Sequence, residues 1–324
     1  MPPAIRVLVN RGSWIESWHE AWAVIVDRQG SVFERYGEDA FVFARSSLKP
    51  FQAFPLLSTG ARERWNLSEE ELAIACSSHS GTPRQVSLAA SILRKAGLDS
   101  SLLRCGAHPP LHEPTAEGML CRHELPTALH NNCSGKHAGM LAVCRHQGWD
   151  LATYDRLEHP LQRLIQATIA RASDMKEEEL EAGVDGCGVP AWRLPLSALA
   201  RAFASLLREP AYHPIVEAMT VHPDLVAGEG RFDTMLMRAC PHLLAKAGAE
   251  GVHVGGDRLT GVAWAVKIVD GNRRAVAPLV LTLLERHGLI SPQTLSELAM
   301  PLIQNRRGET VGTIRAHMET KTPS

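Results

Sequence analysis

Residues 45–52 read Arg-Ser-Ser-Leu-Lys-Pro-Phe-Gln, and the rest of the chain is organised around this stretch. On a helix, Cβ atoms at positions i and i+3 lie about 5–6 Å apart, so the Lys49 amine can reach back to the Ser46 hydroxyl. Pro50 lacks an N–H and is tolerated in a first helical turn, which predicts a helix start near Ser46 or Ser47. Only Ser46 has a lysine three residues on. The pattern predicts Ser46 as a nucleophile and Lys49 as its base, with Ser47 as the helix cap.

This interpretation requires Lys49 to be uncharged. An amine that titrates near 10.4 must fall to about 7–8 to act as a base at neutral pH, a difference of roughly 4 kcal/mol. Burial and a second nearby cation both lower the pKa of a lysine. A second lysine or a metal ion is therefore expected beside Lys49. Without a second cation, the same residues form an ordinary helix start with a solvated lysine. This is the commoner structure for an isolated S-x-x-K sequence.

The charge balance of the chain argues against several classes of protein. Its 324 residues include 34 Lys and Arg against 35 Asp and Glu, a formal net charge of −1. The chain therefore lacks the excess of positive charge that is typical of proteins that bind nucleic acid or an anionic membrane surface. No apolar run reaches the roughly 20 residues that span a bilayer, and the first six residues show no basic-then-apolar signal pattern. We expect a cytoplasmic protein with neither nucleic acid nor membrane as partner.

Predicted elements follow the order strands, then many helices, then strands. Alternating apolar residues predict strands within residues 5–36, and a β-branched apolar run predicts another at residues 261–269. The region from about 60 to 230 is largely helical in its periodicity. This order predicts an α+β fold whose sheet joins both ends of the chain, in one domain over residues 1–324.

Two further positions are candidates for the partners that Lys49 requires. Lys267 lies inside the apolar run at residues 261–269, where a lysine is costly unless it is paired or deprotonated. It provides the second cation unless the strand turns it towards solvent. Ser78 lies in a serine-rich elbow (SSHSG, residues 77–81) between two predicted helices and is a candidate relay between the two lysines. The other two serines of the elbow compete for this role.

The cysteines raise the question of a metal site. They number seven and include no C-x-x-C pair, so a disulfide scaffold is not expected. Cys133 and Cys187 lie in polar, glycine-containing segments, and two thiolates attract zinc. His79 and His137 are further candidate ligands, although the tight spacing of a four-ligand structural zinc site is absent. Buried thiols without a metal are the alternative from spacing alone.

Six segments of the chain resemble one known family. They are, in order, RSSLKPFQAFPLLSTGA, CSSHSG, NNCSGKHAGML, VDGCGVP, VAGEGRFDTMLM and GVAWAVKIVDG. They resemble the L-asparaginase II family related to the rhizobial thermolabile asparaginase, which is distinct from the periplasmic threonine-dependent asparaginases. The resemblance extends from Arg11 to Ala275. It implies a fold similar to serine β-lactamases and glutaminases, with an antiparallel sheet and a helical subdomain, a homodimer, and hydrolysis of asparagine to aspartate and ammonia.

The same resemblance implies roles for individual residues. Ser46 with Lys49 matches one Ser-Lys pair, and Ser78 with Lys267 matches a second. The match of Lys267 is the less secure because the lengths of the preceding segments vary, and Lys246 is the alternative. Arg231 is a candidate for holding the carboxylate of the substrate.

A zinc ion beside the site is also implied by the resemblance. Its ligands would be Cys133, Lys136 and Cys187. A lysine ligand is uncommon and must be neutral to bind. His137 and Asp185 resemble residues that contact the substrate or support the site, with Asp185 a candidate partner for the substrate amine.

The chain departs from the family pattern at Thr82, where we expect a glutamate, and this change affects polar contacts near Ser78. It also lacks the K-T-G and S-x-N motifs of true β-lactamases and penicillin-binding enzymes, which argues against a cell-wall substrate. Two alternatives stay open at this point. One is a glutaminase of the same fold, and the other is a zinc-binding or ligand-binding protein without turnover.

Overall fold

The computed structural model describes residues 4–318, which form two compact units. The first unit comprises residues 4–47, Leu194–Arg208 and residues 235–318, and the second comprises Leu48–Arg193 and Glu209–Thr234. Residues 1–3, which begin the N-terminal stretch considered above, and residues 319–324 lie outside the described part. The single domain over residues 1–324 stays a prediction.

The β-strands fall near the two ends of the chain and in one short central segment. They are β1 (Ile5–Arg11), β2 (Trp14–Val26), β3 (Val32–Tyr36), β4 (Phe41–Phe43), β5 (Glu181–Val184), β6 (Pro190–Pro195), β7 (Leu243–Ala247), β8 (Val252–Asp257), β9 (Ala263–Ile268), β10 (Leu302–Gln304) and β11 (Thr310–Met318).

Helices occupy most of the chain between these strands. They are α1 (Lys49–Ala53), α2 (Pro55–Ser58), α3 (Ala61–Arg64), α4 (Glu69–Ala75), α5 (Pro83–Lys95), α6 (Glu113–Cys121), α7 (Ser134–Gln147), α8 (Pro160–Ser173), α9 (Leu196–Arg208), α10 (His213–Val221), α11 (Pro223–Val226), α12 (Phe232–Ala239), α13 (Val276–Arg286) and α14 (Ser296–Ala299). No helix within residues 4–318 is both long and apolar enough to cross a membrane.

One antiparallel sheet forms the first unit. Its strand order is β10-β11-β1-β2-β9-β8-β7, with β3 paired to β2. Strand β1 pairs with β2 from its own end of the chain and with β11 from the other end. The prediction of an α+β fold with an antiparallel sheet built from both chain ends is therefore confirmed. Helix α9 packs on β2, β8 and β9, and helix α13 packs on β8 and β11.

The second unit is mainly helical and is built around α7. Every residue from Ser134 to Cys144 of this helix is buried, and it packs against α1, α4 and α5. The approach to α4 requires Gly135, because a Cβ atom there would lie 2.2 Å from the backbone oxygen of Ile74. Close packing at this point brings the first turn of α7 beside the end of α4, where the elbow at residues 77–81 begins.

A complete capping box starts α4. The Ser68 hydroxyl accepts the Glu71 N–H at 3.2 Å, and the Glu71 carboxylate accepts the Ser68 N–H at 2.7 Å. This reciprocal arrangement satisfies two N–H groups that have no partner within the helix. The buried Glu71 carboxylate also accepts a hydrogen bond from Lys95 of α5 at 2.6 Å. The contact fixes α4 against α5, the two helices that flank the elbow.

We predict that Glu71→Gln destabilises the protein by about 1–2 kcal/mol at neutral pH, because charge-assisted hydrogen bonds become neutral ones. Burial raises the pKa of Glu71, but the hydrogen bonds from Lys95 and Ser68 outweigh it and hold this pKa below its usual value. Their contribution is therefore present above the unfolded pKa of about 4.3 and is lost as pH falls through the lower folded pKa. Urea unfolding at neutral and acidic pH measures both effects.

Glu70→Gln is the matched control for this prediction. Glu70 is 40% exposed and pairs with Arg84, which is 53% exposed, so its loss should change the free energy of unfolding by less than about 0.5 kcal/mol. An acid-induced loss of stability that is the same in wild type and Glu71→Gln would contradict the role of the Glu71 charge.

Candidate active site

Lys49, the first residue of α1, is buried with its amine against the elbow. Its side chain is 1% exposed. Nζ donates to the backbone oxygen of Ser77 at 2.5 Å and to that of Asn132 at 3.3 Å, and it lies 3.1 Å from the Ser78 hydroxyl oxygen. None of these three partners is a carboxylate. The structure therefore brings together Lys49 and Ser78, two of the four predicted catalytic residues.

Hydrogen bonding distinguishes Ser78 from the other two serines of the elbow. The Ser77 hydroxyl donates to the backbone oxygen of Ile74 at 2.7 Å, and the Ser80 hydroxyl donates to that of Ala227 at 2.9 Å. Both hydroxyls therefore hold the backbone in place. Ser78 is the serine of the elbow whose hydroxyl contacts the Lys49 amine.

A loop between α11 and α12 holds the elbow in place. The Ser78 N–H donates to the backbone oxygen of Val226 at 2.8 Å, and Arg231 Nη1 donates to the backbone oxygen of Ser78 at 2.6 Å. Gly228 of this loop has a φ of +140°, and a Cβ atom there would lie 2.2 Å from the Ser80 hydroxyl oxygen. Only glycine fits this backbone conformation and this space. The predicted substrate residue Arg231 thus lies at the elbow.

Burial lowers the pKa of Lys49. The thiol of Cys133 acts in the opposite direction, and the Lys136 ammonium adds to the lowering, so that the pKa of Lys49 lies below its ordinary value. Removal from water disfavours the charged form of an amine, and a like charge nearby disfavours it further. The second cation that the sequence requires near Lys49 is therefore present in the second unit as Lys136.

Lys136 and two thiols form a second buried cluster beside this amine. The Lys136 side chain is 2% exposed, and its Nζ lies 3.0 Å from Cys187 Sγ. Cys133 and Cys187 are also buried. Burial would lower the pKa of Lys136, but the Cys187 and Cys133 thiols outweigh it, with a smaller effect from Asp185, and the pKa is raised. The structure thus brings together all three predicted zinc ligands, with Asp185 close enough to act on Lys136.

The pKa values of the two thiols of the cluster shift in opposite directions. A hydrogen bond from Cys187 lowers the pKa of Cys133 well below its ordinary value against the effect of burial, and the Lys49 and Lys136 ammonium groups lower it further. The same hydrogen bond raises the pKa of Cys187, and burial raises it further. Cys133 is therefore the more acidic thiol of the pair.

The two histidines considered as metal ligands differ in how many of their ring nitrogens are hydrogen-bonded within the second unit. His79 uses both ring nitrogens, with Nδ1 accepting from the Gly81 N–H at 3.1 Å and Nε2 lying 2.9 Å from the Ser134 hydroxyl. His137 Nδ1 lies 2.7 Å from the Tyr154 hydroxyl, and its buried Nε2 has no hydrogen-bond partner among the described residues. Within residues 4–318 no three side chains from His, Cys, Asp and Glu are grouped to hold a metal ion.

Three candidate residues belong to the first unit. Ser46 is half-buried in the short 3-10 helix Arg45–Leu48 that leads into α1, and the neighbouring Ser47 hydroxyl donates to the backbone oxygen of Ala44 at 2.7 Å. Lys267 in β9 is half-buried and donates to the backbone oxygens of Glu250 and Ile268. The alternative Lys246 in β7 is fully buried. The catalytic roles of Ser46 and Lys267 stay predictions.

The profile of the family described as L-asparaginase II matches residues 7–316, nearly the whole chain. The chain belongs to the L-asparaginase II family. This membership confirms the resemblance carried by the six sequence segments, and it supports an asparaginase-type hydrolase. No curated protein matches the chain at a significant level. The homodimer and the cytoplasmic location implied above stay predictions for this family member.

Three solved structures are similar to this L-asparaginase II family member in fold. A β-lactamase from Mycobacterium bovis is 14% identical, with a TM-score of 0.46 over 83% of this chain and 95% of the other. A protein from Bacteroides dorei named as a β-lactamase is 12% identical, with a TM-score of 0.38 over 88% and 94%. A protein named Mglu is 14% identical, with a TM-score of 0.36 over 88% and 72%.

Sequence reasoning missed one residue that shapes the site of this L-asparaginase II family member. The Gln85 side-chain oxygen accepts the N–H groups of Ser80 at 3.0 Å and Thr82 at 3.1 Å, and its amide donates to the backbone oxygen of Asp224 at 2.9 Å. The Thr82-Pro83-Arg84-Gln85 pattern predicts a capped helix start, which the structure contains. Gln85 also connects the elbow to α11 through its hydrogen bond to Asp224, 139 residues along the chain. The spacing of residues in the sequence does not reveal this contact.

Proposed function

We propose that this L-asparaginase II family member hydrolyses the side-chain amide of asparagine to aspartate and ammonia. In this proposal Ser46 attacks the amide carbon, Lys49 takes the serine proton, and Ser78 relays protons at the Lys49 amine. The observation that supports it most directly is the fully buried Lys49 amine, 3.1 Å from the Ser78 hydroxyl and without a carboxylate partner.

The hydrogen bonds around Lys49 suit a neutral amine. A neutral amine has two N–H donors and one lone pair. The backbone oxygens of Ser77 and Asn132 would accept its two N–H groups. The lone pair would then face the Ser78 hydroxyl oxygen, which lies 3.1 Å from Nζ. After the amine accepts a proton, all three neighbours serve as acceptors. The site therefore accommodates both protonation states of a general base without rearrangement.

The backbone before Ser46 supports its assignment as nucleophile. Arg45 has a φ of +54°, a left-handed backbone conformation that residues other than glycine rarely adopt. Such strain costs on the order of 1–3 kcal/mol and is concentrated at functional sites. The hydroxyl that follows is half-buried. A strained residue directly before the reacting serine is expected where the backbone must present a side chain in one orientation.

The reaction proceeds in two stages. The Ser46 oxygen forms a bond to the amide carbon as its proton passes to Lys49, and the resulting oxyanion collapses with cleavage of the carbon–nitrogen bond. The leaving nitrogen takes the proton from Lys49 and departs as ammonia, which leaves an aspartyl ester on Ser46. Water then attacks the ester, with Lys49 accepting its proton and returning it to the serine oxygen as aspartate leaves. Lys267 is proposed as the second amine of the site.

Three charged or polar residues are proposed to contact the substrate. Arg231 is held at the elbow by its hydrogen bond to the Ser78 backbone oxygen, and its charge would attract the α-carboxylate of asparagine. Asp185 would pair with the α-amine. His137 is proposed as a neutral polar contact, because burial and then the Lys136 and Lys49 charges lower its pKa well below the ordinary value.

The donor set beside the site fits a zinc ion. Cys133, Lys136 and Cys187 are all buried, and the amine of Lys136 is in direct contact with Cys187 Sγ. Sulfur and nitrogen donors are the ones zinc prefers. We propose that these three residues hold zinc when Lys136 and Cys187 have released their protons. A bound zinc ion would supply positive charge close to Lys49 and so favour the neutral form of that amine.

The central prediction concerns Ser46. We expect the wild type to release ammonia from asparagine and Ser46→Ala to lose roughly 10⁴-fold or more of kcat, because the nucleophile is absent. Stopping the wild-type reaction in acid and mapping the peptides by mass spectrometry should find the aspartyl group on Ser46. Ser47→Ala is the control, since the Ser47 hydroxyl donates to the Ala44 backbone oxygen and takes no part in the reaction.

Full activity in Ser46→Ala, or an ester on Ser78 instead, would refute the assignment of the nucleophile. Ammonia released from glutamine but not from asparagine at equal concentration would identify a glutaminase instead. Release from neither amide, with zinc retained, would identify a metal-binding protein without turnover.

A second prediction concerns Lys49 as base. Lys49→Arg keeps a cation that does not deprotonate, so we expect kcat to fall about 100- to 10,000-fold. In the wild type, kcat/KM should decline as pH falls through the lowered pKa of Lys49, because the protonated amine cannot accept the serine proton. Ammonia release measured against pH tests both. The control is Lys95→Arg, which alters an amine that pairs with Glu71 outside the site.

A third prediction concerns the metal. Loss of a residue that only hydrogen-bonds to a zinc ligand weakens zinc binding roughly 10- to 100-fold. Cys187→Ala should weaken zinc binding by more than this, because the substitution removes a ligand itself. Competition with a coloured chelator measures the affinity. Cys144→Ala, which alters a buried thiol of α7, is the control. Equal zinc affinity in wild type and Cys187→Ala would exclude this site.

A further inference from the structure

His79 lies between the elbow and the start of α7, and it is fully buried. On one side its Nδ1 accepts the N–H of Gly81 at 3.1 Å, within the elbow. On the other side its Nε2 lies 2.9 Å from the hydroxyl oxygen of Ser134, the first residue of α7. The imidazole is therefore a direct bridge between two segments that are 55 residues apart in the chain.

The partners of His79 determine which ring nitrogen carries the proton. The backbone Gly81 N–H is a donor, so Nδ1 must be an acceptor. The Ser134 hydroxyl donates to the backbone oxygen of Leu129 at 2.9 Å, so the Ser134 oxygen accepts from His79 Nε2–H. The ring is thus neutral with its proton on Nε2. A second proton on Nδ1 would remove the hydrogen bond to Gly81.

Each end of this bridge is one residue away from a reactive group. Ser78, whose hydroxyl contacts Lys49, directly precedes His79. Cys133 of the thiol–amine cluster directly precedes Ser134. A shift of the imidazole would therefore displace the Ser78 hydroxyl and the Cys133 thiol relative to each other.

We propose that His79 is a positioning residue that couples the Ser78–Lys49 pair to the cluster of Cys133, Lys136 and Cys187, by holding the elbow and the first turn of α7 in fixed register through its neutral ring. The coupling deepens the proposed function and rests on it. The bond from Nε2–H to Ser134 is the coupling contact, and the bond from Gly81 to Nδ1 orients the ring.

A neutral ring is required at this position because the surroundings are already cationic. Burial, with smaller contributions from the nearby charges of Lys49, His108 and Arg231, lowers the pKa of His79 to about 3. A lysine or arginine at position 79 would add a positive charge near the Lys49 amine, which must be uncharged to act as a base. Histidine alone combines an acceptor near its Cβ atom with a rigid donor further out.

Three substitutions separate the two hydrogen bonds of His79. Gln carries an amide nitrogen near the position of Nε2 and keeps a donor for Ser134, whereas Asn carries an oxygen near Nδ1 and keeps only an acceptor for Gly81. Leu keeps neither. We expect His79→Asn and His79→Leu to lower kcat for ammonia release about 10- to 100-fold with KM unchanged, and His79→Gln to restore most of it.

A double-mutant cycle tests the coupling contact from its other end. Ser134→Ala removes the same hydrogen bond, so combining it with His79→Asn should lower kcat no further than either substitution alone. Additive losses would show that the two residues act independently and would overturn the proposal.

His159 provides a matched control. It too is buried, accepts a backbone N–H two residues on through Nδ1, from Leu161 at 3.1 Å, and bonds a backbone oxygen through Nε2, that of Asp150 at 3.0 Å. His159→Leu should lower the unfolding temperature as His79→Leu does and leave kcat at the wild-type value. If His159→Leu lowers kcat as much as His79→Leu does, the effect of His79 is one of stability alone and the proposal fails.

A second measurement does not depend on the substrate. In metal-free protein, the rate at which iodoacetamide alkylates Cys133, which directly precedes α7, reports how often the first turn of α7 opens. We expect His79→Asn to raise this rate on the order of tenfold and His159→Leu to leave it unchanged. If asparagine releases no ammonia even in wild type, the proposed function fails, and an unchanged alkylation rate in His79→Asn would separately overturn the role of His79.

Discussion

The structure of the second unit depends on an amine that is buried without a carboxylate partner. Lys49 is held by groups that come from parts of the chain 28, 29 and 83 residues away. Burying an unpaired ammonium costs several kcal/mol, whereas a neutral amine with hydrogen-bonded neighbours costs far less. The end of α4, the elbow and the turn before α7 must therefore converge on one nitrogen. Their convergence is what makes a lysine with a lowered pKa possible in this protein.

Two buried lysines lie in the same region, and their pKa values shift in opposite directions. Lys136 is in direct contact with Cys187, and this contact, with Cys133, raises its pKa. Cys133 also raises the pKa of Lys49, but burial outweighs this effect, and the pKa of Lys49 is lowered. Titratable groups whose environments push their pKa values apart mark the division between acid and base roles. Here the division is consistent with the proposed role of Lys49 as base and with the proposed role of Lys136 as a charged neighbour or, after losing its proton, as a ligand.

Local patterns in the sequence predicted the parts of the site, but not how those parts are held. The serine–lysine spacing, the elbow and the two cysteine segments each have a short-range signature, and the structure brings Lys49 to Ser78 and Lys136 to Cys187. The sheet from both chain ends was also predictable, because strand periodicity is local and its order along the chain is visible. Spacing alone left Ser77, Ser78 and Ser80 as alternatives, and the family resemblance selected Ser78. The hydrogen bonds that hold Ser77 and Ser80 depend on carbonyl oxygens, that of Ala227 being 147 residues from Ser80.

A comparison of His79 with His159 shows why residue type alone is a poor guide to a metal site. A ligand needs a nitrogen with an available lone pair, and the two nitrogens of His79 are occupied by one donor and one acceptor. His159, far from the cysteine segments, has the same pair of bonds and caps a helix. In both cases the ring bridges two segments of the backbone or side chains by hydrogen bonds, and only its neighbours differ. A buried histidine therefore becomes a candidate ligand only after its hydrogen bonds have been assigned. In this protein the hydrogen bonds of His79 indicate a role in holding the elbow and not a role as a metal ligand.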